Sequence, residues 1–376
     1  MKDTMGIIYT TKEDIELREL TASRAVAALP VVGRYRLIDF ALSSLVNSGV
    51  RNVGVIMQRN YHSLMDHIGA GKEWDLNRRK EGLFILPPYL TYENTGTYEG
   101  SLDALRSNLG YLRRSTQKYV LLIGSYSVFN TVFDDMLRFH QENGADITIM
   151  YTKAYNATRF SSSVERRHVH LNVGEDGVIT DMEIGANIPS YSDMSMNIIL
   201  IQRTRLMYLL DQAYAHGMKD MHRDLIQQYV QNKSLKVMGY EYKGYTRRIE
   251  SIMGYYAFNM DMLQYETRKA FFGTYPVYTK VRDEVPARYL DGAQAVNSLV
   301  ADGCVIEGTV INSVLFRGVR VRRGAVVRNS VLMQSVDIQD GVEVENVILD
   351  KEVTLRQGRL IGQKNYPIVI AKGTTL

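Results

Sequence analysis

Val321, Val327 and Met333 recur at six-residue intervals, and Gly318 and Gly324 keep the same spacing. From about Ser298 onward, two- or three-residue apolar pieces return in this rhythm and helical periodicity largely disappears. A piece that short cannot bury its apolar face alone. It is stable only when neighbouring coils of the same chain cover it, which is the condition a β-helix meets. The repeat therefore predicts a C-terminal β-helix, with the boundary near residue 290.

The preceding part obeys a different rule. From Gly6 to about Tyr265, short apolar runs alternate with helical patterns. Val53 to Met57, Tyr119 to Ile123 and Ile147 to Tyr151 are continuous and rich in β-branched residues, as buried strands are. Between them, Leu37 to Asn47, Ser101 to Leu112 and Phe133 to Glu142 place apolar residues at three- and four-residue spacing, as amphipathic helices do. Strand and helix in alternation predict a Rossmann-like α/β domain, doubly wound around a mostly parallel mixed sheet, with ligands at the carboxyl ends of its strands. The expected division is an α/β domain over 1–273, a Tyr- and Pro-containing linker over 274–290 and the β-helix over 291–376.

Composition excludes several classes. The 376 residues are 45% apolar and 23% charged, an ordinary globular balance, and the formal charge of +4 is too small to imply a nucleic-acid partner. No run approaches the ~18 apolar residues of a membrane span, and Met5 to Tyr9 falls short of a signal peptide's apolar core. A cytoplasmic location is expected. The single cysteine, Cys304, lies in the apolar piece Gly303-Cys304-Val305-Ile306 and reads as buried filler.

Several ordered stretches have a familiar form: Val32-Gly33-Arg34-Tyr35-Arg36-Leu37-Ile38-Asp39-Phe40, Leu45-Val46-Asn47-Ser48-Gly49, His67-Ile68-Gly69 and Tyr98-Glu99-Gly100-Ser101-Leu102-Asp103-Ala104. The repeat adds Asn297-Ser298-Leu299-Val300-Ala301-Asp302-Gly303 and Asn312-Ser313-Val314-Leu315-Phe316. With these pieces the chain resembles bacterial ADP-glucose pyrophosphorylases, also called glucose-1-phosphate adenylyltransferases, over nearly its whole length. The resemblance implies a nucleotidyltransferase domain followed by a left-handed β-helix, in a tetramer that makes ADP-glucose for glycogen.

That chemistry needs a glycine-rich loop to admit the triphosphate and carboxylates to hold Mg²⁺. Catalytic relatives follow the first strand with Gly-Gly-x-Gly-x-Arg and then Leu-Thr. Here Gly6-Ile7-Ile8-Tyr9 and Leu20-Thr21 remain, but Thr11-Lys12-Glu13-Asp14-Ile15-Glu16 stands between them, with Glu16 at the place of the phosphate-facing arginine. The metal-ligating Gly-Asp is Gly124-Ser125, and the second metal carboxylate falls on Arg248. The family's lysine that holds the sugar phosphate aligns with Ile184, and the lysine that precedes Pro-Ala after the Leu-Thr pair with Val26. Positions Glu16, Ser125 and Arg248 are thus degenerate, and no metal or other cofactor is expected on this chain; Mg²⁺ belongs to the catalytic partner. The pattern resembles the GlgD-type companion branch of the family. It implies a non-catalytic or weakly catalytic modulatory subunit that assembles with the catalytic pyrophosphorylase chain as a heterotetramer. A homo-oligomer in the partner's absence and a phosphorylated effector stay open. The alternative is an active adenylyltransferase with a rearranged site that uses carboxylates such as Asp103.

Other residues admit two readings. Tyr98, Gly100 and Asp103 match the family's nucleotide and sugar pocket, yet glycine and aspartate equally suit the turn and cap of the following helix. Arg24 and Arg36 match positions of a regulatory anion site, to which Arg320 is joined from a basic cluster that includes Arg317, Arg322, Arg323 and Arg328. The cluster reads either as a solvated face or as a place for a regulatory phosphate or an acidic neighbouring subunit. His168 and His170 face one side of a strand, without a third metal ligand nearby in sequence. A hexapeptide acyltransferase would need a histidine in or beside the coils, and none follows His222.

Overall fold

The computed structural model describes residues 1–9, 16–88, 98–153, 168–186, 189–358, 360–362 and 366–376. Its α/β domain is built on nine strands: β1 (Thr4–Tyr9), β2 (Asn52–Ile56), β3 (Gly82–Leu86), β4 (Tyr119–Gly124), β5 (Ile147–Lys153), β6 (Val169–Val173), β7 (Ile179–Ile184), β8 (Asp193–Gln202) and β9 (Val237–Glu241). The order β7-β6-β8-β4-β1-β2-β3 forms the main path, while β5 pairs with both β8 and β9. β4, β1, β2 and β3 are mutually parallel, and β8 enters antiparallel between them and the rest. The continuous apolar runs lie at the centre, as expected for strands covered on both faces: β1 and β4 are buried along their whole length.

The helix from Leu37 to Asn47 has the bounds that its periodicity predicts. Ser101 to Leu112 does not form one helix. It divides into Ser101–Ser107 and Leu109–Arg114. Asn108 at the break donates from Nδ2 to the Ala104 carbonyl at 2.8 Å and to Tyr98 Oη at 3.3 Å. A short amide that bonds locally competes with the helical backbone pattern.

After residue 288 the chain winds into three five-stranded parallel sheets, the faces of a β-helix. Successive coils align Leu299 with Val314, Val314 with Val331 and Val331 with Ile348. Asn297, Asn312, Asn329 and Asn346 hold φ of 43–52° at one corner, a left-handed turn that asparagine adopts more readily than other side-chain-bearing residues. Each coil is stapled to the next there, for Asn297 Nδ2 donates to Asn312 Oδ1 at 2.8 Å and the Ser313 amide donates to Ser298 Oγ at 3.1 Å. Cys304 is fully buried in this interior, and burial pushes its thiol up to about 11. The β-helix lies on the α/β domain through Phe316, Met333 and Ile348, which share an apolar cluster with Phe40, Phe258 and Phe271.

Candidate functional site

The carboxyl ends of β1 and β4 lie side by side, with Tyr9 opposite Gly124. Beside them, β8 carries a register shift between Ser195 and Ile198, and Asn197 at that shift adopts φ 59°. The shift turns Asn197 toward the strand ends: Tyr9 Oη donates to its Oδ1 at 2.7 Å, and its Nδ2 donates to Tyr126 Oη. A side chain at Gly124 would meet Asn197 Nδ2 at 2.8 Å, so glycine is what lets the amide sit there. The crevice so formed has a volume of about 230 Å³ and is lined by Tyr9, Tyr126, Asn197, His222, Arg223 and Arg248, among others.

Arg248 reaches this crevice from a two-residue ladder in which it opposes Ser127. Its guanidinium lies 4.9 Å from the Tyr126 ring centroid, donates to the Ser195 carbonyl at 3.4 Å and pairs with Glu250. Glu250 also meets His168 Nε2 at 3.0 Å. Burial alone would raise the Glu250 carboxyl, but Arg248 and His168 overcome it and hold the group at about 2. Asp220, the one carboxylate among the described residues that line the crevice, accepts from the amides of His222 and Arg223 at 2.9 and 2.8 Å and caps a helical turn. Burial lowers the pKa of His222, which favours its neutral form.

These groups do not fit Mg²⁺, which asks for hard, anionic oxygen ligands. Asp220 in the wall is bound into a cap, Glu250 behind it is paired with a guanidinium, and that guanidinium, of Arg248, stands in the crevice as a fixed cation. Among the described residues, no group of three His, Cys, Asp or Glu side chains is arranged to hold a metal ion. His168 and His170 sit with ring centroids 6.3 Å apart, but the first serves Glu250 and the second meets the Tyr191 carbonyl at 3.0 Å.

A second cavity, of about 320 Å³, opens where the β-helix meets the α/β domain. Arg34, Arg36, Lys280, Arg282, Arg317, Lys351 and Lys372 line it, against Asp66 and Glu352. Arg36 is set by the first turn of its helix, where its amide donates to Asp39 Oδ2 at 2.9 Å, and its guanidinium donates to the Ser63 carbonyl at 2.6 Å. Burial, and then the neighbouring Arg36 and Arg24, lower Lys351 to about 8; burial lowers Arg36 to about 10. So many cations held together without equal counter-charge make a site for a multiply charged anion.

Residues 15–162 match a family model described as Nucleotidyl transferase, and residues 285–366 match one described as GlmU-like, C-terminal hexapeptide. The chain is 37% identical over 330 residues to the glycogen biosynthesis protein GlgD of Bacillus subtilis (strain 168), which spans 86% of this chain and 82% of that one. It is 32% identical over 332 residues to a glucose-1-phosphate adenylyltransferase of Clostridium perfringens (strain SM101 / Type A), covering 87% of this chain and 83% of that one. The chain belongs to the glucose-1-phosphate adenylyltransferase family.

Several positions that match the adenylyltransferase family's site lie outside the crevice. Ser125 is buried at the strand end, does not line the crevice, and finds no partner for its Oγ among the described residues. Glu16 is half-buried near Tyr366, whose hydroxyl it helps to raise, rather than in the crevice wall. The rest of that loop, 10–15, lies outside the described residues. Tyr98 is fully buried in the core, and neither it, Gly100 nor Asp103 lines the crevice. Asp103 Oδ2 accepts from the Glu99 amide at 2.9 Å at the start of its helix. Gly100 lies against the backbone of Lys219, whose carbonyl oxygen would be 2.2 Å from an added Cβ.

The regulatory trio also divides. Arg36 lines the interdomain cavity; Arg24 is buried against Asp350 and does not line it. Arg320 is exposed on the coil surface and does not line the cavity, whereas Arg317 does. Of the remaining cluster, Arg322 pairs with Asp337 at 2.7 Å and Arg328 with Glu343 at 3.8 Å, as on a solvated face. Lys280, Arg282, Lys351 and Lys372 were not singled out in the sequence. The coil register was the signal for one of them, since Val314, Val331 and Ile348 stack, and the third residue after each (Arg317, Gln334 and Lys351) lines the cavity.

Proposed function

We propose that this chain works in glycogen biosynthesis as a modulatory subunit of glucose-1-phosphate adenylyltransferase, with little or no adenylyl transfer of its own. The observation that carries the reading is Arg248, a guanidinium held inside the crevice by Glu250 and stacked near Tyr126. A fixed cation there repels a metal ion, and among the described residues of the crevice no carboxylate set suited to Mg²⁺ stands beside it. The printed name of the GlgD relatives supports the glycogen role.

In this reading the chain assembles with a catalytic homologue, as a heterotetramer, and biases its partner between two conformations through the shared interface. Such a bias requires contacts that differ in energy between the two states. A coupling of ~1–3 kcal/mol changes affinity by about 5–150-fold. The basic interdomain cavity is the place for a phosphorylated effector, since an anion there would neutralise cations from both domains and so alter how they pack. The cytoplasm is the compartment proposed; no described helix is long and apolar enough to cross a membrane.

The test is ADP-glucose formation from ATP, Mg²⁺ and glucose 1-phosphate by the purified chain, alone and mixed with its catalytic homologue. Negligible formation alone with faster turnover or tighter substrate binding in the mixture is the expected result. Identical kinetics of the homologue with and without this chain overturns the modulatory role, and vigorous activity of the isolated chain favours the alternative of an active adenylyltransferase.

A further inference from the structure

A third cavity, of about 700 Å³, lies at the other edge of the α/β domain, away from both sites described above. β5 and β9 supply Tyr151, Tyr240 and Glu241, the β6–β7 turn supplies Glu175 and Asp176, and Tyr242, Tyr245, Phe271 and Tyr275 complete an aromatic wall. None of these residues has a part in the crevice or in the basic cavity.

What the wall offers a ligand follows from what its groups already do. Tyr245 Oη donates to Asp261 at 2.7 Å, and Tyr242 Oη donates to the carbonyls of Asn130 and Tyr245 at 3.3 Å. Their hydroxyls are engaged within the protein; Tyr242 is buried, and the half-buried Tyr245 and Tyr275 present carbon surface. Tyr240 is half-buried and is braced edge-to-face by Phe139, with centroids 5.5 Å apart. Asn130 lines the cavity with only 5% of its surface exposed. Its Nδ2 donates to the carbonyls of Phe271 and Tyr275, each at 2.8 Å, while its Oδ1 is buried with no partner among the described residues. Glu175 and Asp176 stand exposed at the mouth, and Glu241 faces Lys153 at 3.9 Å.

The cavity therefore presents ring surface and many acceptors, with Lys243 as the one cationic side chain among the described residues that line it. Three carboxylates, Glu175, Asp176 and Glu241, against Lys153 and Lys243 leave a small net negative charge, which only weakly disfavours an anion. Organic cations gain little, because Lys153 and Lys243 offset most of that charge. The ligand that suits such a wall is neutral, rich in hydroxyl donors and flat-faced in carbon. Sugar rings have that form: hydroxyls donate to carboxylates in charge-assisted bonds, and polarised C–H groups face the negative π surface.

The geometry points to a saccharide-binding cleft at this edge, whose occupant is a short linear glucan segment. The saccharide class rests on the wall's chemistry; the choice of a glucan rests on the glycogen role proposed above. The cleft would keep the subunit, and the enzyme assembled with it, beside the polymer that consumes the product.

The test is calorimetric titration of the full chain with maltopentaose, and separately with spermidine as a cationic probe. Saturable maltopentaose binding is expected, weakened about tenfold or more by Tyr240→Ala, retained in Tyr240→Phe and weakened by Glu241→Gln, with melting curves that confirm each variant is folded. Absence of saturable maltopentaose binding by the folded wild-type chain overturns the proposal, as does binding that neither Tyr240→Ala nor Glu241→Gln alters. Binding of spermidine alone overturns it in favour of a cation site. The kinetic test of the modulatory role contains no saccharide polymer, so failure of either reading is seen separately.

Discussion

Arg24 holds Asp350 across the junction of the two domains, its Nη2 lying 2.9 and 2.8 Å from the two carboxylate oxygens. Their side chains are 3% and 1% exposed, so neither charge has water to fall back on. Removing one partner of a buried pair strands the other, at about 3–5 kcal/mol, whereas replacing both with apolar groups is often neutral. Asp350→Ala is expected to lose stability of that size in urea unfolding, and Arg24→Met combined with Asp350→Leu to recover most of it. Equal losses in the single and double variants would contradict a pair bound by charge.

Glu250 makes acid stability the test of the crevice. Its carboxyl is held at about 2 against an ordinary 4.5, so the stabilisation is complete above about 4.5 and is lost as pH falls from there toward 2. Arg248→Met removes the principal group that holds the carboxyl down. Its acid transition, followed by circular dichroism, is expected to begin at a higher pH than that of the wild type. Superimposable acid transitions would show that Arg248 does not stabilise the carboxylate.

Lys351 sets a pH dependence on the basic cavity. With its amine lowered to about 8, it is mostly charged at pH 7 and mostly neutral at pH 9 in the unliganded chain. An anion favours the charged form, so binding takes up a proton and weakens as pH rises through about 8. Titration with a sugar bisphosphate is expected to show this fall in wild type and a much flatter profile in Lys351→Gln. A pH-independent affinity in wild type would place the anion elsewhere.

Gly100 and Asp103 are expected to respond as structural residues. Gly100→Ala forces a Cβ to within 2.2 Å of the Lys219 carbonyl oxygen, which must move, at about 1–3 kcal/mol. Asp103→Ala removes the acceptor for the Glu99 amide and is expected to lose about 0.5–2 kcal/mol. Neither change should alter the stimulation of the catalytic homologue once assembled, measured as turnover at saturating subunit. A selective loss of stimulation in folded Asp103→Ala would return that carboxylate to a functional role.

Much of the architecture could be read from the residues in order, because the forces that set it are local or periodic. Val321, Val327 and Met333 need neighbouring coils whatever else surrounds them, and Leu37 to Asn47 forms a helix with the bounds its apolar spacing predicts. Ser125 and Arg248 stand out only against the family's motifs, which imply a carboxylate at each place where this chain has a hydroxyl and a guanidinium. What faces those residues was not legible. Glu250 and His168 are 82 positions apart and Arg24 and Asp350 326 apart, and they meet because sheet order and interdomain packing bring them together. Asn108 divided a helix whose periodicity ran on unbroken, since a local amide bond outweighed the apolar pattern. Arg320 faces solvent while Arg317, three residues earlier on the same coil, faces the cavity with Lys351. A repeat tells which side chains enter the coil; which outer face then meets another domain is decided only when the two bodies pack.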